Sequence, residues 1–369
     1  MSRASTPGTE AASRYPRFGV EEEFFLLDPA DGRNVPLAAA VLEALPASAR
    51  ERSKSEFLAS QIEHATGICE TAADAREQLL EFRAGLAAAS AAVGAVAAGM
   101  GTPYRAEQHP TLSPGARYAE LAERHATLID EHQVAAVHVH VGVPEPDAGV
   151  RGLRMVAAWL PLFKTISGNS PWWSAADSGF ASWRTVLLRR WTTGGCPPAV
   201  ADAEEYAARS NALVGIGGTR DEATVAWDVR LSSRYPTVEL RVVDAQLTAD
   251  DALLTALIAR GLVSAAIRDP DAVPAYDPEL VDAAIWHAAR FGLSQGVAVP
   301  GGEGLASVGA AIEALLGALD SSADDLAVIE RGLQRVLEEG TGAERQRAAA
   351  GDGGWDALRP YLEDSLAAS

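Results

Sequence analysis

The stretch Phe18-Gly-Val-Glu-Glu-Glu-Phe-Phe-Leu-Leu-Asp28 sets three consecutive acids inside an apolar run. Read as a strand, it alternates faces, so Glu21 and Glu23 share one side and Glu22 takes the other. A carboxylate removed from water is costly unless a cation, a donor or a proton answers it. Two parallel carboxylates on an apolar strand therefore suggest a hard divalent cation, which prefers oxygen ligands. An edge strand with one wet face is the plain alternative, and the rest of the chain must decide.

Three more segments place ionisable groups on apolar strands. Glu63 lies in Ser60-Gln-Ile-Glu-His-Ala-Thr66, and His138 and His140 share a face of the alternating run 134–143. Glu239 and Arg241 share a face of Thr237-Val-Glu-Leu-Arg-Val-Val-Asp244. Singly, each has a structural explanation: a solvated glutamate, two hydrogen-bonded histidines, a Glu–Arg pair. Several such groups on strands of one sheet are harder to dismiss, because desolvating each costs kilocalories. The His-x-His pair invites zinc, but neither HExxH nor a cysteine pair supplies the remaining ligands. The carboxylates fit Mg²⁺, or Mn²⁺, and such ions usually accompany phosphates. There is no GxxxxGK[ST] loop, and the only lysines are Lys54 and Lys164. Any nucleotide would thus be held by metal and arginine, with Arg184, Arg189, Arg190, Arg230, Arg234 and Arg241 available as phosphate- and carboxylate-binding forks.

The 369 residues carry 31 basic and 50 acidic side chains, a net charge of −19. That field repels polyanions, which argues against nucleic acid and acidic membranes as partners. Cys69 and Cys196 stand far apart without CxxC spacing, which fits a reducing cytoplasm. Residues 1–15 are polar, lack a signal peptide's apolar core and read as a disordered leader. Residues 84–104 are uncharged over about a bilayer's thickness but are mostly Ala and Gly. They read as a core helix running into a short strand at 100–104, and membrane association is not expected.

Strands are expected at 18–28, 56–66, 134–143, 224–230 and 237–244. Helices are expected from the capping box Thr71-Ala-Ala-Asp74 to about residue 99, at 115–132, 147–166 and 203–213, and through most of the chain after a second capping box, Thr248-Ala-Asp-Asp251. Strands early and helices late give an α+β fold, and with no linker residues 16–369 form one domain.

In this order, Phe18-Gly-Val-Glu-Glu-Glu-Phe, Ser60-Gln-Ile-Glu-His-Ala-Thr66, His138-Val-His-Val-Gly142, the Ser170-Pro-Trp-Trp to Ser182-Trp-Arg184 region and Tyr235-Pro-Thr-Val-Glu-Leu-Arg-Val-Val-Asp244 resemble the YbdK-type carboxylate-amine ligases. These form glutamate–cysteine ligase type 2, within the glutamine synthetase-like superfamily. The resemblance covers about residues 17–265. It implies a curved antiparallel sheet with helices packed on its outer face, and a helical C-terminal part. It also implies ATP-dependent joining of a carboxylate, glutamate first, to an amine such as cysteine through an acyl phosphate. Carried over, Glu21, Glu23, Glu63 and Glu239 become Mg²⁺ ligands. His138, His140, Arg230, Arg234 and Arg241 fall beside the nucleotide phosphates, and Arg184 holds the substrate carboxylate; Arg184, Arg241 and His138 are the catalytic set. The family's additional acidic ligand between the second and third motifs has no counterpart near 100–104. Two other readings stay open: a metal-dependent hydrolase built on His138 and His140, and a nucleotide-binding protein without turnover. A closed homo-oligomer, a dimer first, is expected.

Overall fold

A computed structural model describes residues 14–368, so most of the expected leader lies outside the described residues. Arg14 and Tyr15 lie against Asp320 and Ser321. Seven strands form one sheet: β1 (Phe18–Leu27), β2 (Ser53–Ser55), β3 (Gln61–Ala65), β4 (Val96–Ala98), β5 (Val137–Gly142), β6 (Val229–Leu231) and β7 (Thr237–Leu240). Their order is β2-β3-β1-β5-β7-β6, all antiparallel, with β4 beside the end of β1.

Alternation sorts the two faces. Phe18, Val20, Val137, Val139, Val141, Val229, Val238 and Leu240 point into the main core. There they meet three long helices, α1 (Ala72–Ala92), α2 (Pro146–Ser167) and α3 (Ala249–Arg268). Removal of this aliphatic surface from water is the main force holding the helical layer to the sheet. Glu22 enters the same layer and is answered by Arg83 of α1, with Nη2–Oε1 at 2.5 Å and Nε–Oε2 at 3.1 Å. On the other face, Phe25 and Leu27 are covered by Leu358 and Leu362 of the last helix, Trp355–Ala367. That cover leaves Glu21 and Glu23 on the part of β1 it does not reach.

The Thr71/Asp74 capping box is present and starts α1. The helix stops at Ala92, not near 99, because Gly94 takes a left-handed φ of +79°. The strand that follows is therefore β4 at 96–98 and not 100–104, and it hydrogen-bonds to Phe25–Leu27. Thr248 caps α3 by accepting from the Asp251 amide, but no second box forms. The Asp251 carboxylate accepts from the Thr248 hydroxyl at 2.7 Å and from Arg335 and Arg345. The strand expected at 224–230 shrinks to Val229–Leu231. Arg230 Nη1 donates to the carbonyls of Ala223 and Val225, which folds the preceding segment away from the ladder.

Candidate active site

Registry decides what the alternating faces bring together. Glu23 pairs with Glu63 across β1–β3, and Glu21 with His138 across β1–β5. His140 pairs with Glu239 across β5–β7, and Glu239 with Arg230 across β7–β6. One continuous polar row thus crosses five neighbouring strands on the face opposite the main core.

At one end of the row, Glu23 and Glu63 are joined by Glu56, which sequence reading did not single out. Their carboxylate oxygens lie within 4.8 Å of one another, the one such group of metal-ligating side chains among the described residues. Glu56 follows β2, where its amide donates to Gln61 at 3.2 Å and extends the β2–β3 hairpin. Among the described residues, the one ion pair to this trio is made by Lys54, whose Nζ is 2.9 Å from Glu63. Three acids with one exposed lysine are electrostatically under-compensated. Burial and the Glu63 charge push the Glu23 carboxyl up to about 7, and the same two causes push Glu56 well above the carboxylate range. An all-oxygen set short of positive charge fits a hard divalent cation.

In the middle, Glu21 lies 3.5 Å from His138 Nδ1 and 3.5 Å from His140 Nε2. Burial would raise the Glu21 pKa, but the two imidazoles hold it well below the usual carboxylate range. His138 is buried and faces the Arg241 charge, and both effects lower its pKa to about 4, so it is neutral at pH 7. His140 Nδ1 is 2.9 Å from Thr237 Oγ1. The two histidines are thus braced by Glu21 and Thr237, and they do not join the carboxylate trio.

At the other end, Glu239 accepts from Arg230 Nε (2.8 Å) and Nη2 (3.0 Å), and also from Arg241. Burial opposes its charge, yet Arg241 and Arg230 keep its pKa far below the ordinary value. Arg184 sits on the short helix Trp183–Leu188 and is 4% exposed. It donates to the carbonyls of Val242 (3.1 Å) and Arg241 (3.0 Å), while its Nε has no partner. Its charge still reaches Glu23, where it partly offsets the upward shift. Arg234 is the exception: it lies exposed in the β6–β7 turn and makes no side-chain bond among the described residues. Arg189 pairs with Asp282, and Arg190 with Glu131, outside the row.

Among the described residues, no helix is long and apolar enough to cross a membrane. The model of glutamate-cysteine ligase family 2 matches residues 17–359. A candidate glutamate–cysteine ligase 2-1 of Rhodococcus jostii is 36% identical over 349 residues, 93% of this chain and 94% of its own. A candidate glutamate–cysteine ligase 2-2 of Saccharopolyspora erythraea is 39% identical, over 91% of this chain and 88% of its own. Among solved structures, glutamate–cysteine ligase from Francisella tularensis in complex with AMP superposes with a TM-score of 0.68 at 11% identity, covering 96% of this chain and 89% of its own. A bifunctional glutathione synthetase from Pasteurella multocida gives 0.69 at 14% identity, and this chain spans about half, 52%, of its length. The antiparallel sheet with its outer helices is the fold of those ligases. The chain belongs to glutamate–cysteine ligase family 2 and is an ATP-dependent carbon–nitrogen ligase.

Proposed function

We propose that the enzyme joins the γ-carboxylate of glutamate to an amine, with cysteine as the default acceptor, through an acyl phosphate. A carboxylate is a poor electrophile. Transfer of the γ-phosphoryl group to its oxygen makes that oxygen a leaving group, and the amine nitrogen then displaces phosphate. Such transfer depends on positioning and charge neutralisation more than on a side-chain nucleophile.

The observation that carries this reading is the row itself: under-compensated acids at one end, two arginines at the other, all on one face. Glu23, Glu56 and Glu63 would hold Mg²⁺, while Glu21, set against His138 and His140, and Glu239, set against Arg230 and Arg241, lie outside that trio. Bound there, the ion would neutralise phosphate oxygens and polarise the transferred group. Arg230 and Arg241 would offer their forks to phosphate oxygens, with Glu239 setting the direction of both. His138, held neutral, can donate one hydrogen bond without adding charge. Arg184 would take the substrate carboxylate. Glu56 adds a third acid to Glu23 and Glu63, which weighs against a silent binding protein. The hydrolase reading is weakened as well, because among the described residues the one group of three potential metal ligands includes neither His138 nor His140.

The test is to incubate the purified protein with ATP, Mg²⁺, L-glutamate and a panel of amines. Phosphate release that requires both glutamate and one amine is expected. Absence of ADP and phosphate with every pair would refute the substrate assignment.

A further inference from the structure

Of the two lysines in the chain, Lys54 meets Glu63 in the acidic cluster. Lys164, on α2, has no exposed surface. Its Nζ is 2.7 Å from Asp244 Oδ1 and 3.1 Å from Ser182 Oγ. Asp244 is equally buried and accepts three more bonds: Ser182 Oγ at 2.9 Å, the Asn169 amide at 2.9 Å and Ser170 Oγ at 2.7 Å. Ser170 Oγ in turn accepts from the Arg184 amide at 3.1 Å, and Ser182 caps the helix that carries Arg184. Arg184 Nη1 itself lies 3.5 Å from Asp244 Oδ1.

We infer that Lys164 and Asp244 are positioning residues: a buried clamp that fixes the segment 169–184 to the end of the sheet and so aims Arg184. This deepens the reading of Arg184 as the group that takes the substrate carboxylate, and rests on it. A buried ion pair adds little net stability over apolar side chains of equal volume, so fold stability alone does not account for it. Direction does. Donors from α2, from both ends of the segment and from the Arg184 helix converge on one carboxylate, and few placements of that helix satisfy all of them. Charge on Asp244 also gives Arg184 a fixed counter-ion on one side, leaving its Nε edge uncommitted.

The experiment compares wild type with Lys164→Met/Asp244→Asn, which removes both charges together, and with the milder Ser170→Ala. Folding is checked by circular dichroism. Amide exchange in 169–184 should quicken about tenfold, with amides of β1 and β5 unchanged. With cysteine as acceptor, KM for L-glutamate should rise about tenfold while KM for ATP stays within about twofold. Ser170→Ala should move both readouts the same way by less. Arg184→Lys serves as the control. If it leaves the glutamate KM unchanged, the carboxylate reading of Arg184 fails, and exchange alone decides the clamp. Unchanged exchange in 169–184 in folded variants, or a joint rise of both KM values, would overturn the clamp.

Discussion

Replacement of Glu56 by Gln should make the metal-free enzyme more stable and abolish its activity. Two unit charges at the 4.8 Å limit of the cluster repel by roughly 3.5 kcal/mol at an effective dielectric constant of 20. Glu56 faces two such neighbours. One, Glu63, is partly neutralised by Lys54, and the other, Glu23, titrates near 7, so it is mostly but not wholly charged at pH 8. Glu56 is also only half-buried, and water screens part of the repulsion. A net gain of about 2–3 kcal/mol at pH 8 remains after those discounts.

The sign of the pH dependence follows from the direction of the shift. A carboxyl whose folded pKa is raised favours folding while it is protonated in both states, below about 4.5. The penalty appears as pH rises through the folded pKa. The advantage of Glu56→Gln should therefore be full at pH 8 and nearly gone at pH 4.5. Urea denaturation in EDTA at the two pH values measures it, and a repeat in Mg²⁺ supplies the second half of the test. At a hundredfold excess over Kd, the wild type should gain about 2.7 kcal/mol and the variant far less. A variant that is no more stable than wild type in EDTA at pH 8, or that gains as much from Mg²⁺, would refute the assignment of Glu56 to a cation site.

Three further outcomes are expected. Glu239→Gln should lower kcat/KM by at least about 100-fold and lower Tm as well, because it leaves Arg230 and Arg241 without their shared, buried carboxylate; retention of wild-type kinetics would remove Glu239 from the machinery. Arg83→Met should cost about 3–5 kcal/mol in urea by stranding Glu22 among helices, whereas Glu22→Leu/Arg83→Met should recover most of that loss; equal damage in both would contradict it. His64 stacks on Phe82 at 3.7 Å, and burial followed by the Arg52 charge lowers its pKa to about 4. Its neutral form is the folded one, so its contribution is complete above about 6.5 and is lost as pH falls toward 4, at about 1.4 kcal/mol per pH unit. His64→Phe should flatten that part of the stability profile by up to about 3 kcal/mol, and parallel curves for the two proteins would refute it.

What sequence reading captured, and what it missed, follows from where the period-2 signal is strong. β1, β3, β5 and β7 set charged residues among Val, Ile and Phe, so their faces could be assigned from parity alone. Glu56 escaped because Ser53-Lys-Ser-Glu56 is polar throughout and carries no period to read. The end of α1 escaped because the Ala- and Gly-rich run beyond residue 84 has almost none either. The bond between Lys164 and Asp244 spans 80 residues, a distance at which local pattern says nothing.

The triple glutamate shows why parity mattered. Glu22 is committed to Arg83 inside the helical layer, and a one-residue slip of β1 would exchange the two faces. Glu21 and Glu23 would then be driven among Phe82 and Leu79 with one guanidinium between them, while Phe24 and Val20 surfaced beside Glu63. The Glu22–Arg83 pair therefore does for the strand what the Lys164–Asp244 pair does for Arg184. Each spends a buried charge away from the reaction to fix which way the reacting face points.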